Sequence, residues 1–161
     1  LGEEADPHLN AVTDAGSGTL VIVGERGTFL RSTDGGENWQ KLGFPYKGSM
    51  FGVLSWGDGR LMAYGLRGNV YESQDLGSSW SKVETQGSTS LMGGLALPGG
   101  GAVLVGANGT VLARSASAAA FAMSTYKTAN DETPALAGIA PMGDGKYVLV
   151  GDKGVDQYHL Q

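Results

Sequence analysis

Four times along the chain an apolar run ends in Gly-x-x-Gly: VIVGERG to Gly27, MAYGLRG to Gly68, VLVGANG to Gly109 and VLVGDKG to Gly154. The spacings are 41, 41 and 45 residues. A period of this size means one small unit built repeatedly, and such a unit hides its apolar faces only by stacking on its neighbours. A second signal keeps the same register, an apolar stretch with a turn after it: LNAVTDAGSG from Leu9, MFGVLSWGDG from Met50, LMGGLALPGG from Leu91 and LAGIAPMGDG from Leu136.

Each Gly-x-x-Gly leads into a short alternating stretch, Thr28 to Ser32, Asn69 to Ser73 and Thr110 to Ser115, which the two-residue period reads as a half-buried strand. A last apolar piece begins at Trp39, at Trp80 and, more loosely, runs from Phe121 to Tyr126. Four short strands per unit, with 28 glycines marking turns and 17% charged residues, predict an all-β chain. Four-stranded antiparallel units of about 40 residues are the pattern of β-propeller blades. The expected repeats span 8–48, 49–89, 90–134 and an incomplete 135–161.

Between the third and fourth strands the first repeat reads Ser32-Thr33-Asp34-Gly35-Gly36-Glu37-Asn38-Trp39 and the second Ser73-Gln74-Asp75-Leu76-Gly77-Ser78-Ser79-Trp80. The aspartate accepts backbone N–H groups across the turn, the glycine admits positive φ, and the tryptophan covers the turn. Ser32, Asp34, Gly36, Trp39, Ser73, Asp75, Gly77 and Trp80 are therefore expected to be structural. These two stretches resemble the Asp-box, or bacterial neuraminidase repeat. The longer V-G-x-x-G-T-φ-x-R-S-x-D-G-G-x-x-W pattern of the first repeat is similar to the photosystem II stability/assembly factor family and its bacterial relatives.

That resemblance implies a non-enzymatic, partner-binding propeller in the periplasm or outside the cell, without implying a photosynthetic role. It also implies about seven blades, more than this length supplies, so a part of a larger propeller is expected. The third repeat departs from the turn motif, keeping Ser115 and Phe121 without the Asp and Gly, and the fourth ends soon after its third strand. The missing outer strand and blades point to completion by other repeats, with a self-contained four-bladed ring or a self-associated dimer of halves as lesser alternatives.

A net charge of -5 and a pI near 4.9 argue against nucleic acid as a partner, which calls for a basic stripe. No apolar run is long enough to cross a bilayer as a helix. Zero cysteines exclude disulfides and thiolate metal sites, and fit several compartments. The chain begins at Leu1 rather than Met, so a signal peptide or further repeats upstream are compatible with it.

No cofactor or metal is expected: His8 and His159 stand apart, no EF-hand loop or G-x-S-x-G elbow occurs, and Gly-x-x-Gly opens a strand rather than a phosphate-binding helix. Arg26, Arg31, Arg60, Arg67 and Arg114 do not assemble a sialidase-like set, and Arg31 and Arg114 read as structural. Tyr64 and Trp56 read as core. The second x of Gly-x-x-Gly is Arg26, Arg67, Asn108 and Lys153, which a propeller would set in an arc on one face, beside Glu25 and Asp152. Such an arc would take an acidic or polypeptide partner. The rival readings are a glycan-binding or sialidase-like glycoside hydrolase propeller and a purely structural or oligomerising module.

Overall fold

The computed structural model describes residues 6–160. It is all-β, with four sheets along the chain, each an antiparallel meander. Blade 1 holds β1 (Leu9–Gly16), β2 (Thr19–Gly24), β3 (Phe29–Ser32) and β4 (Gln40–Leu42). Blade 2 holds β5 (Met50–Ser55), β6 (Leu61–Gly65), β7 (Val70–Ser73) and β8 (Ser81–Val83). Blade 3 holds β9 (Leu91–Ala96), β10 (Ala102–Gly106), β11 (Thr110–Arg114) and β12 (Ala122–Thr125). Blade 4 has three strands, β13 (Leu136–Gly143), β14 (Lys146–Gly151) and β15 (Gly154–His159), and among the described residues no outer strand joins them.

The first strands pack in series, β1 on β5, β5 on β9 and β9 on β13, and no comparable packing joins blade 4 to blade 1 among the described residues. The result is a four-bladed arc with three internal seams. Alternation along a strand sends successive side chains to opposite seams. In β6, Leu61 and Ala63 join the cluster shared with blade 1, while Met62 and Tyr64 join the one shared with blade 3. A strand covered on both faces has no use for polar side chains, which is why β6 and β10 read as continuous apolar runs. The seam between blades 3 and 4 is built from Val103, Val105, Val111 and Leu149.

Aromatic rings close the first seam near its periphery. The Trp80 ring meets Phe29 edge-on at 5.3 Å and Phe44 at 5.0 Å, and Phe44 meets Tyr71 at 5.4 Å. Trp39 holds the same place in blade 1 but meets no preceding blade, and is 39% exposed. Tyr64 and Trp56 both pack in the second seam, where the Trp56 indole donates to the Gly101 carbonyl at 3.0 Å. Phe29 is fully buried, so Phe29→Ala is expected to cost about 3–5 kcal/mol, read as a fall in the urea midpoint.

The two aspartate turns are held alike. The Ser32 hydroxyl donates to Asp34 Oδ1 at 2.8 Å and accepts from the Gly36 N–H at 2.9 Å. Asp34 then accepts from the Asn38 backbone N–H at 2.9 Å and side-chain amide at 2.8 Å. In blade 2, Ser73, Asp75, Gly77 and Ser79 repeat this set, with the Ser79 hydroxyl at 2.6 Å from Asp75. Gly36 and Gly77 sit at φ of 94° and 84°, where a Cβ would be strained.

These bonds favour the ionised carboxylates. The Asn38 backbone and side chain, then Ser32, lower Asp34 from its ordinary 3.8 to about 2, and the Ser79 hydroxyl and N–H, then Ser73, do the same for Asp75. A pKa lowered on folding stabilises the protein fully above the ordinary value, and that contribution is lost as pH falls from 3.8 towards about 2. Asp34→Asn/Asp75→Asn is expected to be less stable at neutral pH and to lose less on acidification over that window. Urea melts at stepped pH check both.

Candidate partner-binding face

Each Gly-x-x-Gly is the connection between the second and third strands of its blade, and all four are pinned in one way. The N–H of the first x donates to the carbonyl just before the blade's inner strand: Glu25 to His8, Leu66 to Ser49, Ala107 to Ser90 and Asp152 to Ala135, at 2.9–3.1 Å. The first glycine lies beneath that carbonyl. A Cβ at Gly24, Gly65, Gly106 or Gly151 would come within 2.0–2.4 Å of it, closer than any real contact.

The second x takes the left-handed conformation in the first three repeats, with φ of 55° at Arg26, 57° at Arg67 and 55° at Asn108. This backbone turns the residue outward, and Arg26, Arg67, Asn108 and Lys153 are all exposed. Because the four turns hold equivalent places in successive blades, their second positions share one end of the arc. The four differ in what they meet. The Lys153 ammonium pairs with Glu132 at 2.9 Å, which together with nearby Asp152 raises its pKa. The Arg67 backbone N–H bonds the Ser90 hydroxyl at 3.3 Å, and its side chain makes no ion pair among the described residues. Lys153 is thus already matched to a carboxylate.

The carboxylates beside the arc have a local task invisible in the sequence. Glu25 Oε2 accepts the His8 backbone N–H at 3.1 Å, and Asp152 Oδ1 accepts that of Ala135 at 3.0 Å, the equivalent position in blade 4. Glu25 Oε1 also lies 3.2 Å from His8 Nδ1, so His8, without a carboxylate near it in sequence, acquires one by folding. Glu25 and Asp152 are drawn back towards the strand entry, while the second positions are exposed.

Three other arginines are engaged in the fold. Arg31 donates from blade 1 to the Leu76 carbonyl at 2.9 Å and the Ser78 hydroxyl at 3.1 Å of blade 2. Arg114 pairs with Glu72 across the next seam at 3.1 Å and lies over the Phe121 ring. Arg60 pairs with Asp58 at 3.3 Å and lies over Trp56 at 4.5 Å. A cleft between blades 3 and 4 is lined by Tyr126, Leu136, Lys153 and Asp156. There the Tyr126 hydroxyl donates to Asp156, a bond that pushes the phenol pKa up to about 12. Among the described residues no three His, Asp or Glu side chains are grouped to hold a metal ion.

No family model and no curated protein matches the chain. Solved structures do. A structure of YCF48 bound to D1 peptide is similar over 98% of this chain and 50% of its own, with 20% identity and a TM-score of 0.73. The WD40 β-propeller domain of Doa1 is similar over 92% of this chain and 49% of its own, with 11% identity and a TM-score of 0.75. An ancestral GH74 enzyme is similar over 92% of this chain and 22% of its own, with 14% identity and a TM-score of 0.78. The chain therefore spans about half the length of the YCF48 and Doa1 chains it matches. A peptide-bound protein and an enzyme both stand among these neighbours, and at such identities the likeness is one of fold: the chain is a four-bladed stretch of β-propeller.

Proposed function

We propose that the chain is a non-enzymatic binding scaffold that holds an acidic polypeptide segment on the end of the arc carrying the Gly-x-x-Gly turns. The observation that carries this reading is the pair Arg26 and Arg67, displayed outward at equivalent left-handed turns of adjacent blades. Turns pinned by backbone bonds leave only the side-chain rotamers to be ordered on binding, and a guanidinium meets a carboxylate in a two-point fork. Asn108 adds an amide beside them. Lys153 takes part by exchanging Glu132 for a partner's carboxylate.

The solved neighbour that carries a bound D1 peptide supports a polypeptide partner, and the protein-assembly resemblance of the first repeat agrees with it. The Ser-x-Asp-x-Gly-x-x-Trp turns are assigned to the Asp-box class, in a structural role. A periplasmic or extracellular setting is part of this proposal and is supported by the same resemblance. A glycan-processing role has less support, because Arg31, Arg60 and Arg114 are committed to contacts within the fold.

The test is affinity capture from a cell-envelope extract with wild type and Arg26→Glu/Arg67→Glu, after circular dichroism has shown the two equally folded. The captured segment is then made as a peptide and titrated by fluorescence anisotropy. The expected outcome is a partner held by wild type and bound at least about tenfold more weakly by the variant, with affinity falling as salt rises. Equal binding by both proteins would remove the arginines from the site.

A further inference from the structure

The two ends of the arc each expose a sheet face that the interior blades bury. In blade 2 the face towards blade 1 is made by Val53, Leu61, Ala63 and Tyr71, all between 0% and 8% exposed. One repeat earlier the same positions are Val12, Leu20, Ile22 and Leu30. They remain apolar, yet Val12 is 63% exposed and the others partly so. A sheet face meant for water alternates to polar residues, and this one does not.

Blade 4 is open on the opposite face. Val103 and Val105, fully buried in blade 3 by blade 4, correspond to Val148 and Val150, and Val155 pairs with Val150 as Val111 pairs with Val105. Val150 and Val155 are 40% and 74% exposed. Gly138 carries the same message. Its counterpart Gly93 has Ala137 and Gly138 of the next blade so near that a Cβ would meet them at 2.7 and 2.9 Å, whereas a Cβ at Gly138 would meet only its own blade's Val150.

We propose that a second copy of this chain covers both faces, the first blade of each copy packing on the fourth blade of the other to close a two-chain ring. Two observations select this occupant. Every internal seam joins the face of one blade that looks forward along the chain to the backward-looking face of the next, and the only such faces left uncovered among the described residues are the forward face of blade 4 and the backward face of blade 1. The arc also spans about half of the propeller chains it resembles, and two arcs supply eight blades, within the range of closed propeller rings. The absent outer strand of blade 4 does not prevent this, because the internal seams are dominated by contacts between inner strands. The contact is head-to-tail and closes on itself, which limits assembly to a discrete dimer rather than a fibre.

Sedimentation velocity on the 161-residue chain, over a micromolar concentration series, reads the outcome. Wild type is expected at twice the chain mass. Val12→Glu and Val150→Glu each place a carboxylate in both seams of a homodimer and are expected to sediment as monomers, with the dimer Kd raised at least about a hundredfold. Both positions are exposed within one chain, so circular dichroism and the melting temperature should match wild type. Mixing the two variants restores one native seam, the blade 1 of one against the blade 4 of the other, and a mixed dimer is expected. A monomeric wild type, a species larger than a dimer, a variant that still dimerises, or variants that do not associate when mixed would each overturn the proposal.

Discussion

A sheet that is apolar on both faces must be covered on both faces, and the rest of this structure follows from that requirement. β6 and β10 are buried at every position, their side chains passing alternately into one seam and the other, and neither blade could hold its shape alone. Burial of apolar area by the neighbouring sheet is the main stabilising term, and it is supplied seam by seam. Stability is accordingly a matter of nearest neighbours along the arc, with blades 2 and 3 held from two sides and the terminal blades from one.

The polar chemistry of the chain mostly serves this stacking. Arg31 and Arg114 fasten one blade to the next through a carbonyl, a hydroxyl and a carboxylate, and the aspartate turns fix the hairpins from which Trp80 reaches into a seam. Glu25 and Asp152 complete the strand entries. The proposed binding role draws on a small and local set, the exposed second position of each Gly-x-x-Gly. A framework that fixes its turns with backbone bonds can vary those positions without disturbing the packing, as the series Arg, Arg, Asn, Lys illustrates.

The repeat, the strand positions and the two aspartate turns were legible because each depends on local backbone demands. The first glycine of Gly-x-x-Gly is required by a carbonyl lying over it, the glycine after the aspartate by positive φ, and both leave fixed marks in sequence. Alternation predicts the third strand of the second repeat over Asn69 to Ser73 and it lies at Val70–Ser73, and the looser pattern from Phe121 to Tyr126 becomes the strand Ala122–Thr125. The pairings of Glu25 with His8 and of Lys153 with Glu132 were not legible, since each joins residues about 20 apart through the fold's own geometry. Trp39 and Trp80 share one motif and differ in burial, because only Trp80 has a blade in front of it. Sequence shows what a position is suited to, while the neighbour that meets it depends on its place along the arc.

The most direct test of blade-by-blade stacking is native-state hydrogen exchange on the single arc, in Val12→Glu, resolved by strand. Amides of β6 and β10, in blades covered on both sides, should exchange slowest and only by opening of the whole arc, while those of β15, an edge strand of a three-stranded blade, should exchange fastest among the strands. Uniform protection across the four blades, or slowest exchange in blade 4, would contradict an arc held together by its internal seams.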